Sequence, residues 1–232
     1  MLRIFAHKRN RLLSKKKLEK VLEFLPNLEI RRAGRFKNNR AKENYIITRF
    51  LMRRLISQIS GAPMRKIIFG KNKFGKPFLR YPRFKNFNFN ISHSDAWLVI
   101  VFSDECSVGV DIEKIEPIDI EVAKQFFSAA EWQYFYEKKA SRPEVFYKTW
   151  TLKESFIKLA GKGMFYSLKK LSFDFRRENN IRLIIGDKAA NHYFRFYNLD
   201  KKYQMAVCLD ANKFPAKINI LNLNREIIRA KN

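Results

Sequence analysis

The chain has 232 residues, with 48 Lys or Arg against 22 Asp or Glu and a formal net charge of +26. Apolar content of 46%, including 22 Phe, suits one large domain or two small halves and excludes wholesale disorder. Cys106 and Cys208 have no CxxC spacing and no nearby His pair, which argues against a disulfide framework or structural zinc, and no run approaches the roughly 18 apolar residues of a membrane helix.

In chain order, Leu2 to Ala6 reads as a strand whose apolar run is too short for a signal peptide, so a soluble cytoplasmic protein is expected. Ser14 is placed to cap a helix carrying Leu18, Val21, Leu22 and Leu25 until Pro26 stops it. A basic segment follows, Arg31-Arg32-Ala33-Gly34-Arg35-Phe36-Lys37. Asn38 or Asn39 then caps a predicted long helix with Ile46, Ile47, Phe50, Leu51, Leu55 and Ile59 on its inner face, closed by Gly61 and Pro63. Gly70 to Pro77 nearly spells a P-loop. Pro77, however, stands where the magnesium-ligating Ser/Thr belongs and offers no N–H, so a turn presenting Lys76 is expected instead.

Phe87, Phe89 and Ile91 alternate with Asn88, Asn90 and Ser92, which predicts a strand with its polar residues turned from the core. His93-Ser94-Asp95 is read as the turn, and Ala96 to Phe102 as a returning buried strand. Val108-Gly109-Val110-Asp111-Ile112-Glu113 alternates in the same way, leaving Asp111 and Glu113 on one side of a strand with Cα atoms roughly 6–7 Å apart. Carboxylates about 4 Å from each other at an effective dielectric of about 20 repel by about 4 kcal/mol. Either both are solvated at a strand end, or a shared proton, a basic side chain or a divalent cation offsets the repulsion.

Asp119 heads a further predicted helix, and Ser128-Ala129-Ala130-Glu131 has capping-box spacing. Ser141-Arg142-Pro143-Glu144 opens a helix through Phe146, Trp150, Phe156 and Leu159 to Gly161. On it Glu154 and Lys158 share a face, a spacing equally suited to an ordinary surface ion pair. Strands are predicted at 171–175, 181–185, 193–197 and 203–209. The hairpin-like segments 87–104 and 193–210 hint at an internal repeat, and residues from Lys217 are expected to fray. His93, on its own residues, is either a base beside Ser92 or Ser94 or a plain turn residue.

Five stretches carry a resemblance: Phe74-Gly75-Lys76-Pro77, Phe89-Asn90-Ile91-Ser92-His93-Ser94, the 108–113 strand, Phe126-Phe127-Ser128-Ala129-Ala130-Glu131, and Trp150-Thr151-Leu152-Lys153-Glu154-Ser155-Phe156-Ile157-Lys158. In this order and spacing the chain resembles the 4′-phosphopantetheinyl transferases of the larger, pseudodimeric Sfp type, over roughly residues 1 to 210. The resemblance implies an α+β fold of two similar halves, residues 1–105 on the coenzyme A adenosine-phosphate side and 106–232 carrying the metal ligands and the carrier-protein side. It implies transfer of 4′-phosphopantetheine from coenzyme A to a carrier-protein serine, with release of 3′,5′-ADP. It makes Asp111, Glu113 and Glu154 ligands of Mg2+, with Glu154 the base and Lys158 neutralising phosphate charge. As coenzyme A contacts it implies His93 on the 3′-phosphate with Ser92 beside it, Lys76 near the adenine, and Arg32 and Lys158 on phosphate; for Lys153 a solvated position and a phosphate contact both stay open.

Two departures stand out: Glu29 and Tyr45 occupy positions where other members carry a basic residue and a threonine for the 3′-phosphate, and Arg31 or Arg40 is the expected replacement. The charge then suits an acidic acyl or peptidyl carrier, met partly through residues 115–127, and a fused duplicate makes a monomer sufficient. A basic nucleic-acid-binding protein and a Mg-dependent nuclease are the alternatives, but the basic residues are spread along the chain and no nucleic-acid signature is present.

Overall fold

A computed structural model describes residues 2–9, 11–163, 167–174 and 180–230. Strand β1 (Leu2–Lys8) leads to α1 (Lys15–Leu22), which starts after Ser14 although that side chain makes no cap hydrogen bond. The chain turns at Pro26 and immediately re-enters helix as α2 (Asn27–Ala33), where the sequence shows only a basic segment. A missing N–H costs nothing at a helix start. In α3 (Asn39–Ser60) the Asn38 side chain accepts the Ala41 N–H at 3.0 Å, and Gly61 ends the helix at φ 70°. Ile46, Ile47, Phe50, Leu51 and Leu55 are buried as predicted, whereas Ile59 in the last turn is exposed.

Strands β2 (Ile68–Lys71) and β3 (Pro77–Tyr81) form a hairpin, so residues 72–76 are a turn. Strands β4 (Asn88–Ser94) and β5 (Trp97–Ser103) form the next, turning on Asp95 and Ala96. His93, expected in the turn, is therefore a strand residue: pairing with Leu98 carries β4 past it.

The second half contains β6 (Val108–Lys114), α4 (Ile120–Phe126), α5 (Ala129–Glu137), α6 (Arg142–Ala160), β7 (Leu171–Asp174), β8 (Arg182–Ile185), β9 (Lys188–Ala189), β10 (Tyr193–Phe196) and β11 (Tyr203–Leu209). Phe175, the last residue of one predicted strand, lies outside the described residues. Both Ser128 and Glu131 make their capping-box bonds. The two halves repeat one plan: β5 lies between β1 and β4, and β11 between β6 and β10, all antiparallel. Leu2 faces Ser103 as Val108 faces Leu209. The fold is α+β with two similar halves, and the repeat seen faintly in sequence is the pair of β4–β5 and β10–β11 hairpins.

Among the described residues, the segment after Lys217 forms regular structure in place of the expected frayed end. Strand β12 (Asn219–Ile220) pairs parallel with β1, and α7 (Leu223–Arg229) buries Leu223 and Ile227 in the core beside α3. Asn222 caps that helix through the N–H groups of Asn224 and Arg225.

The halves meet in two ways. Ile4, Ala6, Val99 and Val101 of one sheet share an apolar core with Val108, Val110, Ile112, Met205 and Val207 of the other. Beside it runs a polar seam, in which Asn90 Oδ1 accepts from Val110 N–H (3.2 Å), Ser92 Oγ from Ile112 N–H (3.4 Å) and Ser94 Oγ from Lys114 N–H (3.0 Å). Side chains of β4 thus satisfy backbone donors on the open edge of β6. Asn90 and Ser92 do turn from the first core, but they are buried against the second half rather than solvated.

Candidate active site

The seam ends at the acids. Val108, Val110 and Ile112 point into the shared core, so Gly109, Asp111 and Glu113 point the other way, toward α6. The helix lies directly on the strand: a Cβ on Gly109 would sit 1.9 Å from the Ser155 carbonyl oxygen. Glu154 and Lys158, on that helix, therefore come to Asp111.

Asp111 is 2% exposed, and its Oδ1 accepts from Ser92 Oγ at 2.9 Å and from Lys158 Nζ at 2.6 Å. Lys158 also donates to Ser92 Oγ at 2.9 Å, closing a triangle. Asp111 Oδ2 is buried without a hydrogen-bond partner. Glu113 Oε2 accepts from Ser94 Oγ at 2.9 Å.

The electrostatics record the crowding. Burial pushes the Asp111 carboxyl up while Lys158 and Ser92 oppose it. Burial and then the charge of Asp111 push Glu113 up to about 7, with Glu154 adding to the same effect. Glu154 is raised by burial and then by Asp111, against Lys158. The charge of Asp111 thus bears on both glutamates, one on its own strand and one on the helix. Among the described residues no three or more Asp, Glu, His or Cys side chains are grouped closely enough to hold a metal ion, and the Lys158 ammonium rests on Asp111 Oδ1. His93 is exposed; the surrounding protein, Lys158 and Arg9 hold it below the usual imidazole range.

A second feature lies across the β2–β3 turn. A cavity of about 950 Å3 is lined by Arg31, Arg32, Arg35, Arg49 and Lys71 together with Phe36, Tyr45 and Phe69. The Arg32 guanidinium stands over the Tyr45 ring at 5.6 Å and Arg49 over Phe69 at 4.0 Å. Glu29 is in the wall, 7% exposed, clamped by Arg49 and Arg53. Of the expected replacements, Arg31 lines this cavity, whereas Arg40 is paired with Asp95 at the β4–β5 turn. Arg49 was invisible to sequence reasoning, since nothing local marks one arginine of a basic helix as facing inward.

One expectation, Lys153 on phosphate, needs correction, and Lys76 has its head group on α6. Lys153 does not face the acids: its ammonium is fully buried, 2.7 Å from Glu131 Oε2, and donates to the carbonyls of Phe126, Leu168 and Leu171. It lies on the opposite face of α6 from Lys158, and pulling it out to a phosphate would strand a buried carboxylate. Lys76 does not line the basic cavity either; its Nζ donates to the Leu159 carbonyl at 2.7 Å.

Three acids thus gather beside a lysine where β6 meets α6, and an arginine-lined cavity lies on the far side of the β2–β3 turn. The 4′-phosphopantetheinyl transferase superfamily model matches residues 107–208, and the 4′-phosphopantetheinyl transferase N-terminal model matches residues 13–105. The chain is 34% identical over 220 residues to the 4′-phosphopantetheinyl transferase psf-1 of Bacillus pumilus, spanning 94% of this chain and 93% of that protein. It is 31% identical over 222 residues to the 4′-phosphopantetheinyl transferase Sfp of Bacillus subtilis (strain 168), spanning 95% and 98%. Against the human L-aminoadipate-semialdehyde dehydrogenase-phosphopantetheinyl transferase it is 30% identical over 205 residues, spanning 78% and 65%. The chain belongs to the 4′-phosphopantetheinyl transferase superfamily and is a transferase of that class; the family uses coenzyme A and acts on carrier proteins.

Proposed function

We propose that the chain moves 4′-phosphopantetheine from coenzyme A to a serine hydroxyl of an acidic apo acyl or peptidyl carrier protein, releasing 3′,5′-ADP, as a cytoplasmic monomer. The observation that carries this reading is the meeting of Asp111, Glu113, Glu154 and Lys158 at one point of the seam between the halves. The donor set fits a hard dication. All three acids offer oxygen, Asp111 Oδ2 has no protein partner, burial raises each carboxyl, and the charge of Asp111 raises Glu113 and Glu154 further. Asp111, Glu113 and Glu154 would hold Mg2+, which when bound supplies positive charge to a diphosphate.

The protein's own groups do the rest. Lys158 neutralises charge that builds on the transferring phosphate, and Ser92 orients both Lys158 and Asp111. Glu154 takes the proton of the carrier serine. His93, beside Lys158, meets a phosphate of the nucleotide. Arg32 does the same at the aromatic-walled cavity, where residues 1–105 receive the adenosine end. Residues 106–232 supply the acids and meet the carrier, with Ile120 of α4 exposed while Ala123 and Phe127 are buried.

The test is incubation with coenzyme A, Mg2+ and an apo-carrier, read by mass spectrometry. The carrier gains one phosphopantetheine; absence of any gain across a panel of carriers would sink the reading. Glu154→Gln is expected to lower kcat by about 100- to 10,000-fold with an unchanged melting temperature, and a fully active variant would refute its role as base.

A further inference from the structure

The turn between β2 and β3 reaches across to the end of α6. Inside the turn, Asn72 Oδ1 accepts the N–H groups of Phe74 and Lys76, each at 2.9 Å, and the Lys76 carbonyl accepts the Asn72 N–H at 2.9 Å. Gly75 supplies the φ of 88° that closes it. From this rigid turn two donors extend into the other half. Asn72 Nδ2 donates to the Gly161 carbonyl at 3.0 Å, and Lys76 Nζ donates to the Leu159 carbonyl at 2.7 Å. The last carbonyls of a helix have no intrahelical partner and hold the negative end of its dipole, so an ammonium suits them. Gly161 is fitted to the contact. It ends α6 at φ 64°, and a Cβ there would lie 2.6 Å from Lys76 Cδ. On the other side of the same turn, Gly75 and Pro77 line the basic cavity with Arg32 and Lys71.

We infer that Asn72 and Lys76 are positioning residues, fixing the distance between the nucleotide-binding cavity and the Glu154/Lys158 face of α6, and that the Lys76 ammonium does not hold the nucleotide's 3′-phosphate. This rests on the transferase reading, which makes the cavity the seat of that nucleotide. Loss of either tie lets the end of α6 move relative to the cavity. A shift of about 1 Å at reacting groups is enough for a rate loss of up to about 100-fold, while contacts that bind the donor persist.

The experiment compares wild type, Lys76→Met and Asn72→Asp with two donors, coenzyme A and dephospho-coenzyme A, which lacks the 3′-phosphate. Asn72→Asp keeps both acceptor bonds inside the turn and replaces the donor to Gly161 by a carboxylate oxygen that repels that carbonyl. Each variant is expected to lose about tenfold in kcat with both donors alike, and KM for coenzyme A stays within about twofold. If instead Lys76→Met raises KM for coenzyme A and behaves as wild type with dephospho-coenzyme A, the ammonium binds phosphate and the inference is overturned. An unchanged kcat in folded Asn72→Asp overturns the tie on its own, which keeps the test decisive should Lys76→Met fail to fold. Wild type inactive with coenzyme A and every carrier would remove the transferase reading and this inference together; an active wild type with the KM pattern above removes only the inference.

Discussion

Glu29 shows how far a single residue's role can lie from its sequence context. It stands two residues before the basic segment, at a position where the resembling family carries a basic residue, yet its carboxylate accepts from Arg53 Nε at 2.9 Å and Arg49 Nε at 2.7 Å. Burial alone would raise its pKa; the guanidinium groups of Arg53 and Arg49 outweigh burial and hold it below the usual glutamate range. Because the folded-state pKa is depressed, the stabilisation is complete above the unfolded pKa of roughly 4.3 and is lost as pH falls through the lower folded value. Glu29→Gln should cost about 3–5 kcal/mol at neutral pH, since two arginines lose their charged partner in a buried wall. Urea unfolding at descending pH checks this: the gap between wild type and variant should be widest above pH 5 and narrow below about pH 4. A gap independent of pH would mean that Glu29 acts by packing. None of this was legible in sequence, because the partners sit on another helix. Asp111 and Glu113 were legible, since strand alternation alone puts two carboxylates on one side. Lys153 was misread for a related reason: Glu131, already assigned a helix-capping role, gave no sign of its second partner.

Among the elements, β6 and α6 make the site by touching without spacers. At Gly109 the helix backbone comes so near that an added Cβ would meet Ser155 O at 1.9 Å and Leu159 N at 2.7 Å. Backbone atoms inside a helix cannot swing aside, so α6 would have to retreat from β6 and carry Glu154 and Lys158 from Asp111. Gly109→Ala is expected to destabilise by about 1–3 kcal/mol and to lower kcat by about 100-fold in the molecules that fold. Gly34→Ala is the control, since its methyl would meet nothing closer than Arg31 O at 3.4 Å. Chemical denaturation and active-site titration separate the two effects, and wild-type turnover in Gly109→Ala would show that the helix has slack. Long helices were readable because α3 and α6 run for several turns between clear caps. α2 and α7 are seven residues each, too short for a 3.6-residue period to stand out from a mixed sequence, so one looked like a loop and the other like a frayed end.

The whole molecule is a duplicated sheet-and-helix unit with one apolar core in each half and a third between the sheets. That third core and its polar seam make the site a property of both halves: Ser92 and Ser94 come from one, Asp111, Glu113 and Lys158 from the other. Sequence showed the repeat only as similar hairpins, since the two copies share strand order and register rather than residues. A net charge of +26 on such a unit is a long-range field, and its effect belongs to encounter more than to the bound state. Between about 0.1 M and about 1 M salt the screening length falls from about 10 Å to about 3 Å, which erases attraction between separated surfaces but spares contacts already closed. For an acidic carrier, kcat/KM should therefore fall by at least about tenfold over that range while kcat at saturating carrier changes by less than about twofold. Stopped-flow measurement of the association rate places the effect: it should appear in the rate of encounter and leave dissociation nearly unchanged. A flat salt profile would mean that the basic surface does not steer the carrier, and that recognition rests on the apolar face at α4.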